Sequence, residues 1–280
     1  MPAAPRLVLD ARALLAEGPC WDARRARLWW VDILRGDLHQ LDPATGQDAF
    51  HALGRGIGAA VVEDAGTLLL ALEDGFFRLD WDAKSLEPLG DPEAGKPANR
   101  FNDGKLGPGG RFFAGTMAKD ARGPHGALYR LDPDGAITRL LDGVTISNGL
   151  AFSHDGALLY YIDTPTQRVD VMDHDPATGA VANRREAFAI PREMGAPDGM
   201  CIDGEGMLWI ALWGGGAVAR FDPRDGRLLR RVEVPASQAT SCCLDGTGRV
   251  LFITTASVGL SEARRDREPH AGGLFALDLE

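Results

Sequence analysis

A repeat with a period of 41 to 50 residues constrains this chain more than any other feature. Six segments begin at positions 17, 58, 102, 148, 198 and 241, and each reads as an apolar strand, a turn and a second apolar strand. Asp-Gly pairs, which are strong hairpin signals, mark several of the turns, at 155–156, 203–204 and 245–246. A period of roughly 40–50 residues is typical of one four-stranded blade of a β-propeller.

A second hairpin pattern supplies the remaining strands of each repeat. It runs from a glycine to an Asp-Pro turn at 36–46, 126–135 and 216–226. Residues 273–278 give a third strand to the sixth repeat, and residues 7–11 are predicted to give its missing outer strand. The sequence therefore predicts an all-β fold, a single six-bladed β-propeller over residues 1–280, with four-stranded antiparallel blades and a ring closed by the N-terminal strand. A β-sandwich is the alternative, but the doubled hairpin at a blade-like period disfavours it.

Composition excludes some classes of partner. Forty acidic against thirty basic side chains give a net charge of −10 without a basic stripe, so neither nucleic acid nor an anionic membrane is an expected partner. The N-terminus lacks the apolar core of a secretory signal, and no apolar run is long enough to span a bilayer. We expect a cytoplasmic protein with four free thiols, since no C-x-x-C pair is present, and a monomer or weak homo-oligomer.

Four polar residues occupy the same place in four of the repeats. Glu17, Asn102, Asn148 and Asp198 each precede an apolar strand, and each stands one or two residues before a glycine. They could be ordinary turn residues, but every repeat has its own hairpin turn further on, and Glu is not a turn former. If the repeats close into a ring, these oxygen-bearing side chains meet at its axis, where they would suit a divalent cation.

Glu17, Asn148 and Asp198 are the predicted ligands of one divalent cation. Two carboxylates and one amide admit Ca²⁺ or Zn²⁺, and also Mn²⁺, Mg²⁺ or Fe²⁺, and they leave coordination positions open for catalysis. Asn102 is either a fourth ligand or a donor to a substrate hydroxyl. Arg100 stands two residues before Asn102, and its guanidinium carries several N–H donors for substrate oxygens. We therefore favour substrate binding as the role of both residues. Asp103 is expected to face away from the channel and brace the loop.

At these residues the chain resembles the family of regucalcin (senescence marker protein), gluconolactonase and luciferin-regenerating enzyme. The resemblance implies a six-bladed propeller with one divalent cation in its channel, and many members of the family hydrolyse sugar lactones. It also implies that Glu17, Asn148 and Asp198 are metal ligands and that Arg100 and Asn102 bind substrate. The matching segments are EGP (17–19), NRFNDGK (99–105), RFFAGTM (111–117), GALY (126–129), ISNGL (146–150), YYID (160–163), PDGMCID (197–203) and TSCC (240–243).

One segment departs from the family pattern. After Gly115-Thr-Met117, regucalcin-like members place a glutamate that contacts substrate, whereas this chain has Lys119-Asp120. Asp120, one methylene shorter, is therefore the third candidate for substrate binding, and the sugar preference stays open.

The predicted function is a metal-dependent hydrolase that opens an aldono-1,4- or 1,5-lactone to the sugar acid. No serine, cysteine or histidine constellation supports a covalent route, so we expect water to attack directly, with Asp198 as general base. The alternative is a calcium-binding regulatory protein of regucalcin type without important turnover.

Overall fold

The computed structural model describes residues 4–279, which form six four-stranded antiparallel sheets. Each innermost strand packs against the innermost strands of the two neighbouring sheets, so the sheets close into a ring. The six-bladed propeller predicted from the repeats is confirmed, and the β-sandwich alternative is wrong.

Blades 1 to 5 each use four consecutive strands, whereas the chain's first strand, β1 (Arg6–Leu9), belongs to the last blade. Blade 1 consists of β2 (Ala16–Asp22), β3 (Arg27–Asp32), β4 (Asp37–Asp42) and β5 (Gln47–Ala52). Blade 2 consists of β6 (Ile57–Asp64), β7 (Thr67–Leu72), β8 (Gly75–Asp80) and β9 (Ser85–Gly90). Blade 3 consists of β10 (Asn99–Leu106), β11 (Phe112–Ala118), β12 (Gly126–Leu131) and β13 (Ile137–Val144).

The second half of the ring follows the same plan. Blade 4 consists of β14 (Ser147–Phe152), β15 (Leu158–Asp163), β16 (Arg168–His174) and β17 (Val181–Ala189). Blade 5 consists of β18 (Ala196–Ile202), β19 (Leu208–Trp213), β20 (Ala217–Phe221) and β21 (Leu228–Glu233). Blade 6 consists of β22 (Ala239–Leu244), β23 (Val250–Thr255), β24 (Leu274–Asp278) and β1.

The N-terminal strand closes the ring, as the sequence predicts. Strand β1 pairs antiparallel with β24, with Arg6 opposite Ala276 and Leu7 opposite Phe275. The two ends of the described chain thus share one sheet, and the last blade does not present β24 as an unpaired edge.

The second strand of each blade is buried on both faces, and this explains its unbroken apolar sequence. Residues 68–72 of β7 are all buried, because one face of the sheet packs on blade 1 and the other on blade 3. The edge-to-face contact of Trp29 with Trp81, at 4.8 Å between ring centroids, belongs to the first of these interfaces. The outer strands are polar and exposed, as β17 illustrates.

Helical structure is scarce, as expected. In the described residues, one short α-helix, α1 (Glu262–Arg267), and three 3-10 turns, at Pro108–Gly110, Thr164–Thr166 and Arg192–Met194, interrupt the strands. Among residues 4–279 no helix is long and apolar enough to cross a membrane. The four cysteines are free, and three of them are buried, in agreement with the sequence.

The ring leaves no room for a side chain at Gly58 of β6. A Cβ atom there would lie 2.4 Å from the carbonyl carbon of Phe101 in the next blade. Since that neighbour is backbone, we predict that Gly58→Ala lowers the free energy of unfolding by about 1–3 kcal/mol, measured by urea denaturation. Gly95→Ala is the matched control, because a Cβ there meets no atom within 4 Å. Equal stability losses in the two variants would contradict this account of ring packing.

Candidate functional site

Each innermost strand contains a β-bulge where the repeat places its polar residue or its counterpart. The pairing register with the second strand shifts immediately after Glu17, Asn148 and Pro197, and across Asn102. The same irregularity occurs in β6 and β22, so all six blades share it. A bulge bends the strand and redirects a side chain, which explains how residues from separate sheets turn towards one axis.

Glycine permits the close approach of the bulges. Gly18 has a φ of +54° and Gly149 a φ of +20°, backbone conformations that favour glycine. A Cβ atom at Gly149 would also lie 2.8 Å from the carbonyl oxygen of Asp198 in the next blade. The glycine that follows each predicted ligand is therefore part of the geometry of the site.

The structure brings the predicted amides into direct contact. Asn102 donates through Nδ2 to Asn148 Oδ1 at 2.9 Å and to the Ser147 carbonyl at 2.8 Å. Arg100 donates through Nη1 to Asn102 Oδ1 at 2.7 Å and to the Phe101 carbonyl at 2.8 Å. Arg100, Asn102 and Asn148 thus form one hydrogen-bonded group that joins blades 3 and 4.

The two predicted carboxylate ligands are buried, and their surroundings disfavour the ionised form of each. Burial, together with the charge of Asp103, raises the pKa of Glu17 to about 8. Among residues 4–279, only the Gly18 amide, at 2.9 Å, donates to this carboxylate. Burial and the charges of Glu17 and Asp103 raise the pKa of Asp198 well above its ordinary value. Carboxylates crowded in this way gain from a cation that neutralises them.

The structure places Asp103 differently from the expectation that it faces away from the channel. It is buried and lines a partly open cavity of about 400 Å³ together with Gly18, Lys105 and Ser241 from the innermost strands. Its charge raises the pKa of both Glu17 and Asp198, so it faces the channel rather than away from it. It braces the strand as well, because its Oδ1 accepts the Gly104 amide at 2.7 Å.

Arg100 supplies positive charge to the site. Burial lowers its pKa to about 10, against the opposing charges of Glu17, Asp198 and Glu73, so it stays protonated at neutral pH. Its guanidinium faces the Oδ1 atom of Asn102, and this contact makes that oxygen a poor cation ligand. The contact favours the substrate role of Asn102 over the fourth-ligand role.

The residues present fit a divalent cation with oxygen ligands. Within residues 4–279, no three His, Cys, Asp or Glu side chains lie close enough together to hold a metal ion. A cation bound by Glu17 and Asp198 would therefore depend on the amide oxygen of Asn148 for its third protein ligand. Oxygen ligands of this kind suit Ca²⁺ and also serve Zn²⁺.

Asp120 lies apart from this group. It is exposed in the turn after β11, and its Oδ1 accepts the Arg122 amide at 3.0 Å. No hydrogen bond or ion pair between described residues joins it to Arg100. Its neighbour Lys119 instead pairs with Glu73 of blade 2 at 3.2 Å, and Glu73 is one of the charges that act on Arg100.

Sequence reasoning missed Glu73 and Thr164, which are both close to the predicted residues. Thr164 Oγ1 accepts a hydrogen bond from Asn148 Nδ2 at 2.8 Å. Neither residue belongs to the repeated register, because each follows the second strand of its blade. Each of them could have been found from its position directly after the second strand. In an antiparallel hairpin, that strand ends beside the start of the innermost strand, where the predicted site residues lie.

The raised pKa of Glu17 predicts how the metal-free protein responds to pH. An unfolded glutamate titrates near 4.5 and the folded one near 8, so between these values the folded state holds a proton that the unfolded state has lost. Stability should therefore fall as pH rises through this window, and Glu17→Gln should remove part of the fall. Urea denaturation of both proteins in the presence of chelator, between about pH 5 and pH 8.5, measures this fall in the free energy of unfolding. Parallel curves for the two proteins would contradict the shifted pKa.

Comparisons with known proteins agree with this architecture along the whole chain. Residues 15–257 match the family model described as the SMP-30/Gluconolactonase/LRE-like region. Regucalcin from Xenopus laevis is 38% identical over 269 residues, which cover 94% of this chain and 90% of that protein.

Two solved structures extend the comparison to the fold. Regucalcin from Agrobacterium tumefaciens, described as a calcium-binding protein, superposes with a TM-score of 0.95 at 33% identity, over 100% of this chain and 95% of that one. XC5397 from Xanthomonas campestris, described as a gluconolactonase, gives a TM-score of 0.80 at 26% identity, over 100% of this chain and 97% of that one. This chain therefore belongs to the SMP-30/gluconolactonase/luciferin-regenerating enzyme-like family.

Proposed function

We propose that this protein is a metal-dependent hydrolase that opens a sugar lactone, an aldono-1,4- or 1,5-lactone, to the sugar acid. The observation that carries the proposal is the convergence of two buried carboxylates of raised pKa and an amide oxygen beside an arginine. The gluconolactonase from Xanthomonas campestris, with the same fold, supports the substrate class. Lactones are activated esters, so their hydrolysis needs a positioned water and stabilisation of a developing oxyanion.

Glu17, Asn148 and Asp198 would hold one divalent cation, Ca²⁺ or Zn²⁺ in the first place and Mn²⁺, Mg²⁺ or Fe²⁺ as alternatives. When bound, such a cation supplies Lewis-acid polarisation of the lactone carbonyl. The calcium-binding regucalcin from Agrobacterium tumefaciens supports a divalent cation at this place. The donor set supports it independently, because two crowded carboxylates lose their mutual repulsion when a cation binds.

The chain's own residues account for binding and proton transfer. Within the part of the chain that the structure describes, Arg100 makes two hydrogen bonds, both through Nη1, so its other N–H groups remain for substrate oxygens. Asn102 holds Arg100 in place, and Asp120, on the turn after β11, is the third group for the sugar hydroxyls. Asp198 would act as general base, because a carboxylate at the edge of the metal site can both ligate the cation and accept the proton of the attacking water.

The second candidate is a calcium-binding regulatory protein without important turnover. Its support is the similarity to regucalcin, including the structure that is described as a calcium-binding protein. A panel of aldonolactones assayed with and without chelator separates the two functions. Chelator-sensitive hydrolysis of a panel member supports the hydrolase, and calcium binding without any hydrolysis supports the regulator.

The cation ligands predict a specific pattern of metal loss. Glu17→Gln and Asp198→Asn each remove one of the two ligand charges, so cation binding should weaken by about 3–5 kcal/mol, as when a buried charge loses its partner. Metal analysis of the purified proteins measures occupancy. Asp120→Asn is the matched control, since it removes an exposed charge of the same kind and should leave the metal content unchanged. Full occupancy in both ligand variants would refute the assignment.

Arg100 should affect turnover without affecting the cation. Arg100→Ala removes a charged donor to substrate, so kcat/KM should fall about ten- to a hundredfold, or about 1.5–3 kcal/mol, while metal content stays complete. Arg122→Ala, at an arginine in the exposed turn of the same blade, should leave kcat/KM unchanged. If Arg100→Ala loses metal together with activity, Arg100 is a structural brace.

A further inference from the structure

Thr164 links the two blades that would supply Asn148 and Asp198. It begins the 3-10 turn Thr164–Thr166, directly after β15 of blade 4. Its hydroxyl accepts from Asn148 Nδ2 at 2.8 Å and donates to the carbonyl oxygen of Pro197, in blade 5, at 2.8 Å. Pro197 immediately precedes Asp198, so one hydroxyl contacts the side chain of one proposed ligand and the backbone beside another.

The carbonyl of Pro197 determines the orientation of the Asn148 amide from one side. A carbonyl oxygen only accepts, so the single hydroxyl proton of Thr164 is committed to Pro197. Thr164 Oγ1 can then only accept from Asn148. The end of the Asn148 amide that faces Thr164 must therefore be the NH₂ group, and its oxygen lies at the opposite end.

Arg100 determines the same orientation from the other side. A guanidinium only donates, so the atom of Asn102 that faces it must be Oδ1. The NH₂ group of Asn102 then donates to Ser147 and to Asn148, and the atom of Asn148 at 2.9 Å must be its oxygen. The two ends of the chain of hydrogen bonds require the same amide orientation.

We infer that Thr164 is a positioning residue, which holds the amide of Asn148 so that its oxygen is presented to the cation. This inference rests on the proposed metal site. An amide rotated by half a turn would present its NH₂ group, which cannot ligate a cation. Without the Thr164 acceptor, the contact with Asn102 would be the one remaining side-chain hydrogen bond, among the described residues, that resists this rotation. Outer partners of this kind typically decide how well a ligand binds its metal.

The test combines Thr164→Val with Asn148→Asp. Valine keeps the shape of threonine but cannot accept from Asn148, so cation affinity should fall about 10- to 100-fold. A carboxylate presents an oxygen in either orientation. In the Asn148→Asp protein, the same Thr164→Val change should therefore alter affinity by about twofold or less, which would show that the two changes are coupled rather than additive. Titration calorimetry of chelator-treated protein with Ca²⁺ and with Zn²⁺ measures all four proteins.

Two controls separate orientation from general damage. Thr164→Ser retains the hydroxyl and should keep the native affinity. Thr166→Val makes the same change in the same 3-10 turn, but the Thr166 hydroxyl donates to the Asp163 carbonyl at 2.7 Å and not to a neighbour of the proposed ligands. This variant should also keep the native cation affinity. If Thr164→Val weakens binding equally in both backgrounds, Thr164 is a structural brace between blades and the inference is overturned.

The result also distinguishes this inference from the proposed function. A native chain that binds neither cation would overturn the metal site and the inference together. If the protein binds a cation, and Thr164→Val and Asn148→Asp are coupled as expected, but no lactone is hydrolysed, the proposed hydrolase function is wrong and the role of Thr164 stands.

Discussion

The structure depends on how closely the six innermost strands approach one another around the axis. At several contacts, a glycine of one strand accepts a side chain or the backbone of its neighbour with no room for a Cβ atom. A Cβ at Gly58 would lie 2.4 Å from the carbonyl carbon of Phe101, and one at Gly199 would lie 2.1 Å from Ser241 Oγ. The ring can close at this radius only because glycine stands at these places. The same closeness brings polar side chains from different blades within hydrogen-bonding distance.

This packing concentrates charge that the fold alone does not neutralise. Glu17, Asp103 and Asp198 are all buried near the axis, and burial raises the pKa of each. Buried carboxylates that repel one another cost stability, so they are not explained by what holds the ring together. Clusters of this kind are concentrated at functional sites, where a ligand recovers the cost. The stabilising contacts lie elsewhere, in the apolar layers between blades and in the pairing of β1 with β24.

The sequence predicted the ring well because its signals are local and repeated. A strand such as 68–72 is apolar throughout since both of its faces are covered, and the recurrence of this pattern fixes the number of blades. The register of Glu17, Asn148 and Asp198 was visible for the same reason. The direction of Asp103 was not, because a bulge between Phe101 and Asp103 shifts the alternation of side chains along β10. Thr164 and Glu73 were missed because they lie outside the repeated register, and their contacts with Pro197 and Lys119 cross from one blade to the next.

The charges around the axis also indicate why a divalent cation suits this arrangement. With all three carboxylates ionised, Glu17, Asp103 and Asp198 exceed the positive charges of Arg100 and Lys105 by one. In the metal-free protein a proton on Glu17 can correct the imbalance, in keeping with its pKa of about 8. A divalent cation would replace that proton and leave the site with an excess of one positive charge. An excess of this sign favours the negative charge that develops on a lactone carbonyl during hydrolysis, so binding of the cation and catalysis would draw on the same electrostatic feature.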